Sequence, residues 1–181
     1  SYDGGGYTIN GLTINRPTTA YIGLFGYTNG STIKDIGVIN VNITGGSRTG
    51  GLVGYNKYSS VSNCYSTGSV VSESETGVRI GGLAGRSYGG SISYCYSTGS
   101  VAGYNFVGGI IGYGSGGYSV TGLFWNIDNF PGDNGIGTGK TTTEMQTVNT
   151  FIDGDWDFEI ETANGTNDYW DMDNISGVYN S

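Results

Sequence analysis

"SNCYSTGSV" at Ser62–Val70 returns, eight letters of nine, as "SYCYSTGSV" at Ser93–Val101. A glycine pentad precedes each copy: "GGLVG" at Gly50–Gly54 and "GGLAG" at Gly81–Gly85. The same pattern occurs twice more, as "IGLFG" at Ile22–Gly26 and "GGIIG" at Gly108–Gly112. Its Gly-Leu or Gly-Ile steps begin at Gly23, Gly51, Gly82 and Gly109, intervals of 28, 31 and 27 residues. A strand-like unit of that period cannot bury its apolar side alone. Stacking it on copies of itself supplies the missing core, which is the logic of a solenoid.

The segments between the pentads align as "YTINGLTI", "STIKDIGVI", "SSVSNCYS", "GSISYCYS" and "YSVTGLFW". This alignment stacks Ile9, Ile33, Val61, Ile92 and Val120 in one column, and Leu12, Ile36, Cys64, Cys95 and Leu123 in a second. Residues 1–126 are therefore expected to form an all-β, right-handed parallel β-solenoid (a β-helix) of about five coils. Equivalent residues should lie ~4.8 Å apart along its axis. Leu24, Leu52, Leu83 and Ile110 should point inward, while Tyr27, Tyr55, Arg86 and Tyr113 should lie outside. The pentad glycines should turn crowded corners, where a Cβ has no room and positive φ is accessible. The insertion Ser72–Arg79 should bulge outward as a loop. Cys64 and Cys95 read as small buried hydrophobes. An inter-coil disulfide would need a torsion geometry that in-register neighbours rarely offer, and a metal site would need more ligands.

Composition agrees with strands and tight turns: 36 Gly and 15 Tyr among 181 residues, 2 Pro, and only 12% charged residues. The net charge of −8 argues against nucleic acid or an anionic membrane as partner, and no apolar run is long enough to cross a bilayer, so no membrane insertion is expected. With no initiating Met and no leader segment, the chain reads as a mature or excised product. Short polar β-formers with little charge suit an extracellular setting. Sequons stand at Asn29, Asn42, Asn164 and Asn174, as possible glycosylation sites.

Catalytic machinery is sparse. The chain has no His, which removes the common zinc-protease motif, the Ser–His–Asp triad and the Cys–His dyad. "GIGTGKT" at Gly135–Thr141 imitates a phosphate loop, but Asn134 stands where the required spacing needs Gly. Carboxylates are few in the repeat region, and Arg48, Arg79 and Arg86 look scattered among the coils, so neither glycoside hydrolysis nor polysaccharide lysis is expected. No cofactor is expected. Calcium is the one open ion, through the D-x-D-x-D run Asp153, Asp155, Asp157, whose continuation departs from the EF-hand loop. Tyr65 and Tyr96 should stack as a ladder. Such a ladder either stabilises neighbouring coils or, with Tyr55 and Tyr113, offers a contact surface for sugars or proteins.

The pentads "GGLVG" and "GGLAG", each followed by an "NCYSTGSV"-like strand, resemble the GLUG-motif repeats of microbial surface proteins. The later run "TTTEMQTVNTF…WDFE" resembles the segment that commonly follows such repeats. The resemblance implies a β-solenoid of a secreted or surface-attached protein with a non-enzymatic structural or adhesive role. Its partners would be copies of itself, assembled head to tail as a filament, or extracellular glycans and proteins. The alternative is a carbohydrate-binding module of a larger secreted protein.

Residues 127–181 break the repeat. "TTTEMQ" offers Thr N-caps for a short helical turn. Trp156, Phe158, Tyr169 and Trp170 suggest a packed, irregular cap or linker, able to cover the end of a solenoid or a neighbouring subunit.

Overall fold

The computed structural model describes residues 1–158, together with the backbone of Asp171–Met172 and Tyr179–Asn180. The chain winds through about four turns of a parallel β-solenoid with three faces. The main sheet carries the long strands Thr32–Gly45, Ser60–Ser72, Ser91–Ser97 with Ser100–Ala102, and Ser119–Asn126, in that order. A second sheet stacks Phe25–Asn29, Val53–Lys57, Ala84–Tyr88 and Ile111–Ser115. The third is a narrow corner of two-residue strands, Thr49–Gly50, Ile80–Gly81 and Val107–Gly108, extended by an Ile22–Thr49 bridge. Five strand copies were expected to make about five coils. They bound about four, because a turn closes only when the chain has crossed all three faces.

The register follows the sequence from the second rung onward. Ile33 pairs with Val61, Val61 with Ile92, and Ile92 with Val120. Ile36 pairs with Cys64, and Cys95 with Leu123. These residues, with Leu52, Leu83 and Ile110, fill the interior. Cys64 and Cys95 are free and fully buried in it. The first rung departs from the expected alignment: Tyr2, not Ile9, sits opposite Ile33, and Ile9 lies opposite Val38. Leu12 likewise lies away from Ile36, its carbonyl accepting from the Asn42 amide at 2.9 Å. Turns at Gly4–Gly6 and Gly11 break this rung into three short strands, Tyr2–Asp3, Thr8–Asn10 and Thr13–Arg16, so a local likeness to the motif falls out of step.

The pentad glycines do their steric work without left-handed backbone. A Cβ on Gly51 would collide with the Ser66 hydroxyl and come 2.6 Å from the Gly82 carbonyl oxygen; Gly82 stands in the same relation to Ser97 and Gly109. The sheets approach this closely only where no side chain intervenes. Positive φ falls elsewhere, on columns that include bulky residues: Tyr21, Arg48 and Phe106 before the pentads, and Asp35, Asn63, Tyr94 and Gly122 in the main sheet. A polar column is also buried beside the second sheet. The Thr28 hydroxyl donates to Asn56 Oδ1 (3.0 Å), and Asn56 Nδ2 donates to the Ser59 carbonyl (3.1 Å) and Ser87 Oγ (3.4 Å). In the 72–79 insertion Ser72 still belongs to the strand Ser60–Ser72 and is buried, the residues from 73 to 77 form an outward loop, and Val78 plugs the core.

The main sheet continues past residue 126. Thr138–Lys140, part of the false phosphate loop, pairs with Phe124–Asn126 as a short last rung. Asn134 Nδ2 donates to the carbonyls of Ile111 and Gly112, at 2.7 and 3.1 Å, closing the edge of the second sheet. Thr141 then caps a helical turn, Thr142–Met145, in a reciprocal box with Glu144, and a second turn follows at Val148–Ile152. From Met145 to Phe158 the chain lies along the flank of the main sheet. Met145, Phe151, Trp156 and Phe158 form a second apolar cluster with Tyr65, Tyr96 and Phe124. Tyr169, Trp170 and the sequons at Asn164 and Asn174 lie outside the described residues.

Candidate functional site

Of the four tyrosines expected at a contact surface, the structure buries two. Tyr65 and Tyr96 do stack, with ring centroids 4.9 Å apart and planes 4° from parallel. Their outer faces are covered, however, leaving them 6% and 3% exposed. Trp156 lies across Tyr96 and Phe124, at 6.2 and 5.9 Å, and donates its indole N–H to the Gly122 carbonyl at 3.0 Å. A sheet face bearing three aromatic rings in a column is apolar enough to recruit a cover, and the residues after 140 supply it. Tyr65 and Tyr96 are thus packing residues, and the contact-surface reading fails for them.

Tyr55 and Tyr113 fare differently. Tyr27, Tyr55, Arg86 and Tyr113 form one in-register column on the outside of the second sheet. Tyr27 is 49% exposed, and the other three are half-buried. A parallel column runs beside it. Ile22, Thr49, Ile80 and Val107 follow one another across the corner, so the residues before them, Tyr21, Arg48, Arg79 and Phe106, are neighbours too. The two columns interlock. The Arg48 guanidinium carbon lies 5.0 Å from the Tyr21 ring centre and 5.7 Å from that of Tyr55. Arg86 covers Tyr55 at 4.9 Å and Tyr113 at 5.9 Å. Arg79 lies 5.2 Å from Tyr113 and 5.5 Å from Phe106. Each contact is in cation–π range.

The three arginines that look scattered in the sequence therefore meet on one face. Among the described residues none has a carboxylate partner, and the ion pairs present both belong to Lys34, with Asp3 and Asp35. Each guanidinium makes one hydrogen bond, to a neutral acceptor: Arg48 to Ser47 Oγ, Arg79 to the Gly77 carbonyl and Arg86 to Ser115 Oγ. Their Nε atoms are buried without a partner. Burial, reinforced by the charges of Arg86 and Arg48, holds the Arg79 pKa below the usual arginine range. A signal for this cluster was present in the sequence: Arg48 and Arg79 each stand two residues before a Gly-Gly, as Phe106 does, and Arg86 takes the place of a tyrosine directly after its pentad.

The remaining candidates are less organised. Asp153 and Asp155 are exposed and border a cavity of about 510 Å³ whose lining also includes Lys140, whereas Asp157 is half-buried and outside that lining. Among the described residues no three His, Cys, Asp or Glu side chains converge as a metal site. The sequon residues Asn29 and Asn42 are exposed. No described helix is long and apolar enough to cross a membrane.

Comparison with known proteins agrees with this geometry. Residues 45–71 and 76–102 match the family model of the GLUG motif, and each match covers one turn of the solenoid. A 73-residue stretch, 40% of the chain, is 41% identical to halomucin of Haloquadratum walsbyi. A 138-residue stretch, 74% of the chain, is 35% identical to a protein of Evansella cellulosilytica described as a Gly-rich membrane protein. The matched parts are 1% and 12% of those two proteins' own lengths. No solved structure matches. The recurring pentads, the register they set and the two matched motifs identify the repeats of this chain as GLUG-motif repeats.

Proposed function

We propose that this chain is a non-enzymatic structural or adhesive element of a surface-associated extracellular protein. The solenoid acts as a stiff support and presents its outward columns for contact. The supporting observation is the division of labour between faces. Interior columns and glycine contacts are spent on stacking, and one flank is sealed by aromatics, while the Tyr/Arg columns lie outside with no strand or helix over them among the described residues. The relatives' names, a halomucin and a membrane protein, agree with a surface setting. Antibodies against the solenoid should label intact producing cells, and beads coated with the chain should adhere to those cells' outer matrix. Labelling that requires permeabilisation would refute the reading.

A head-to-tail filament is the alternative arrangement of the same role. The observation in its favour is the mode of stacking: successive rungs of the main sheet join by in-register parallel pairing, as Tyr2–Asp3, Thr8–Asn10 and Thr13–Arg16 do with Thr32–Gly45, and a second copy can continue the same pairing. Sedimentation at high concentration tests it, and a strictly monomeric species would remove it. The carbohydrate-binding reading draws its support from the exposed tyrosines, now with arginines among them.

A further inference from the structure

We propose that the interlocked Arg48, Arg79 and Arg86 with Tyr21, Tyr55 and Tyr113 form a binding face for an acidic polysaccharide bearing uronate carboxylates. The proposal deepens the reading of the chain as a contact element and rests on it for its biological setting.

Charge is the first ground. The chain carries −8 overall and has only seven basic residues, yet three of them converge here with no acidic partner among the described residues. Desolvating like charges side by side is costly, and a fold that needed them only for packing would pair them with carboxylates or use neutral side chains. Each guanidinium makes one hydrogen bond, so donors remain on each. A planar guanidinium fork matches a carboxylate in bidentate fashion.

Shape is the second ground. Tyr55 lies between Arg48 and Arg86, and Tyr113 between Arg86 and Arg79, so each of these rings has a cation on either side, with the three arginines on two neighbouring rungs. With rungs ~4.8 Å apart, the face repeats on the scale of a sugar ring. A polymer with an apolar ring face and a carboxylate in every one or two units meets both elements in turn; tyrosine offers an apolar ring with a polar tip for the sugar. Beyond Tyr113 and Phe106 the surface continues into a cavity of about 310 Å³ that Asn134 also lines.

Net charge selects the glycan over nucleic acid. A polyphosphate strand would suffer the repulsion of the remaining acidic surface and needs more cations than this cluster supplies. A glycan with a carboxylate on every one or two sugars spaces its charges more widely than a nucleic-acid duplex does, and its rings need no unstacking.

Isothermal titration of the 181-residue chain with sodium polygalacturonate at low ionic strength tests the proposal, with dextran and a single-stranded DNA oligonucleotide as parallel ligands. Binding to polygalacturonate should exceed that to dextran at least tenfold and weaken as salt rises. It should fall tenfold or more in Arg48→Ala and in Arg86→Ala. Tyr55→Leu should lose affinity as well, with the circular-dichroism spectrum and melting of each variant reporting its fold. If a variant does not fold, arginine modification of the unsubstituted chain by a dicarbonyl, with and without bound polymer, supplies the reading: the polymer should protect the three arginines. Absence of binding, equal binding to dextran, tighter binding to the oligonucleotide, undiminished binding in folded arginine variants, or no protection would each overturn it. The assay uses purified chain, so its failure leaves the surface setting intact, and failure of cell labelling leaves this face intact.

Discussion

Tyr65 and Tyr96 stack face to face at 4.9 Å, and Phe151 and Trp156 close over the Tyr96 end of the pair at 6.3 and 6.2 Å. The ladder begins on Gly37, the in-register partner of Tyr65 in the preceding rung, where a Cβ would run into the Tyr65 ring. Packing along the rungs and packing across the flank thus meet in these two side chains.

Trp156→Ala should open that flank. Deleting a fully buried tryptophan costs about 3–5 kcal/mol, and the loss should be confined to the segment after residue 140. The expected result is an early, separate unfolding transition, binding of an apolar dye to the uncovered Tyr96 and Phe124, and a protease cut between residues 141 and 158. A single unchanged transition would show that the cover contributes nothing.

Gly82→Ala should be more damaging than its one methyl suggests. The new Cβ meets the Ser97 hydroxyl and the Gly109 carbonyl oxygen, and overpacking of this kind costs about 1–3 kcal/mol. Adding Ser97→Gly should recover part of the loss and not all, because the backbone clash remains. Full recovery, or no initial loss, would contradict the close approach of the sheets.

Asn56→Ala removes the centre of the buried polar column. It leaves the buried Thr28 hydroxyl without its acceptor and the Ser59 carbonyl with the Ser91 N–H alone, a cost of about 1–3 kcal/mol. Chemical denaturation should show this as a lower midpoint with an unchanged slope.

Acid should weaken the capped turn. Glu144 receives the Thr141 backbone N–H at 2.7 Å, which holds its carboxyl below the usual glutamate range. Asp128 receives the Thr142 N–H at 2.8 Å, with the same effect. A depressed folded-state pKa stabilises above the unfolded value, and the contribution disappears as pH falls through the folded one. The stability gap between the wild type and the Glu144→Gln, Asp128→Asn double variant should therefore be open near neutrality and closed well below pH 4. A gap that persists in strong acid would contradict this assignment.

The thiols should be silent until the protein unfolds. Burial pushes the Cys95 thiol well up, and its contact with Cys64 adds to the effect. A thiol-specific chromophore should report no reaction in the native state and two equivalents in denaturant. Native reactivity would mean that the core opens locally.

Much of the stack was legible because solenoids repeat their constraints. One pentad is ambiguous, but four in step fix the Ile33–Val61–Ile92–Val120 register. The first rung escaped because its glycine turns reset the count. The fate of Tyr65 and Tyr96 escaped for a different reason: exposure on a sheet face depends on what else covers it, and Trp156 is sixty residues downstream of Tyr96. The arginine cluster was hidden by distance along the chain, although its offset from the pentads repeats.

The inter-rung hydrogen bonds run along the solenoid axis, so tension between its two ends would load them one row at a time. Each turn that gives way would release about 100 Å of contour length, and it would re-form when the load drops. A chain of such turns would yield in discrete steps under a pull instead of snapping, a property suited to a tether that must survive shear.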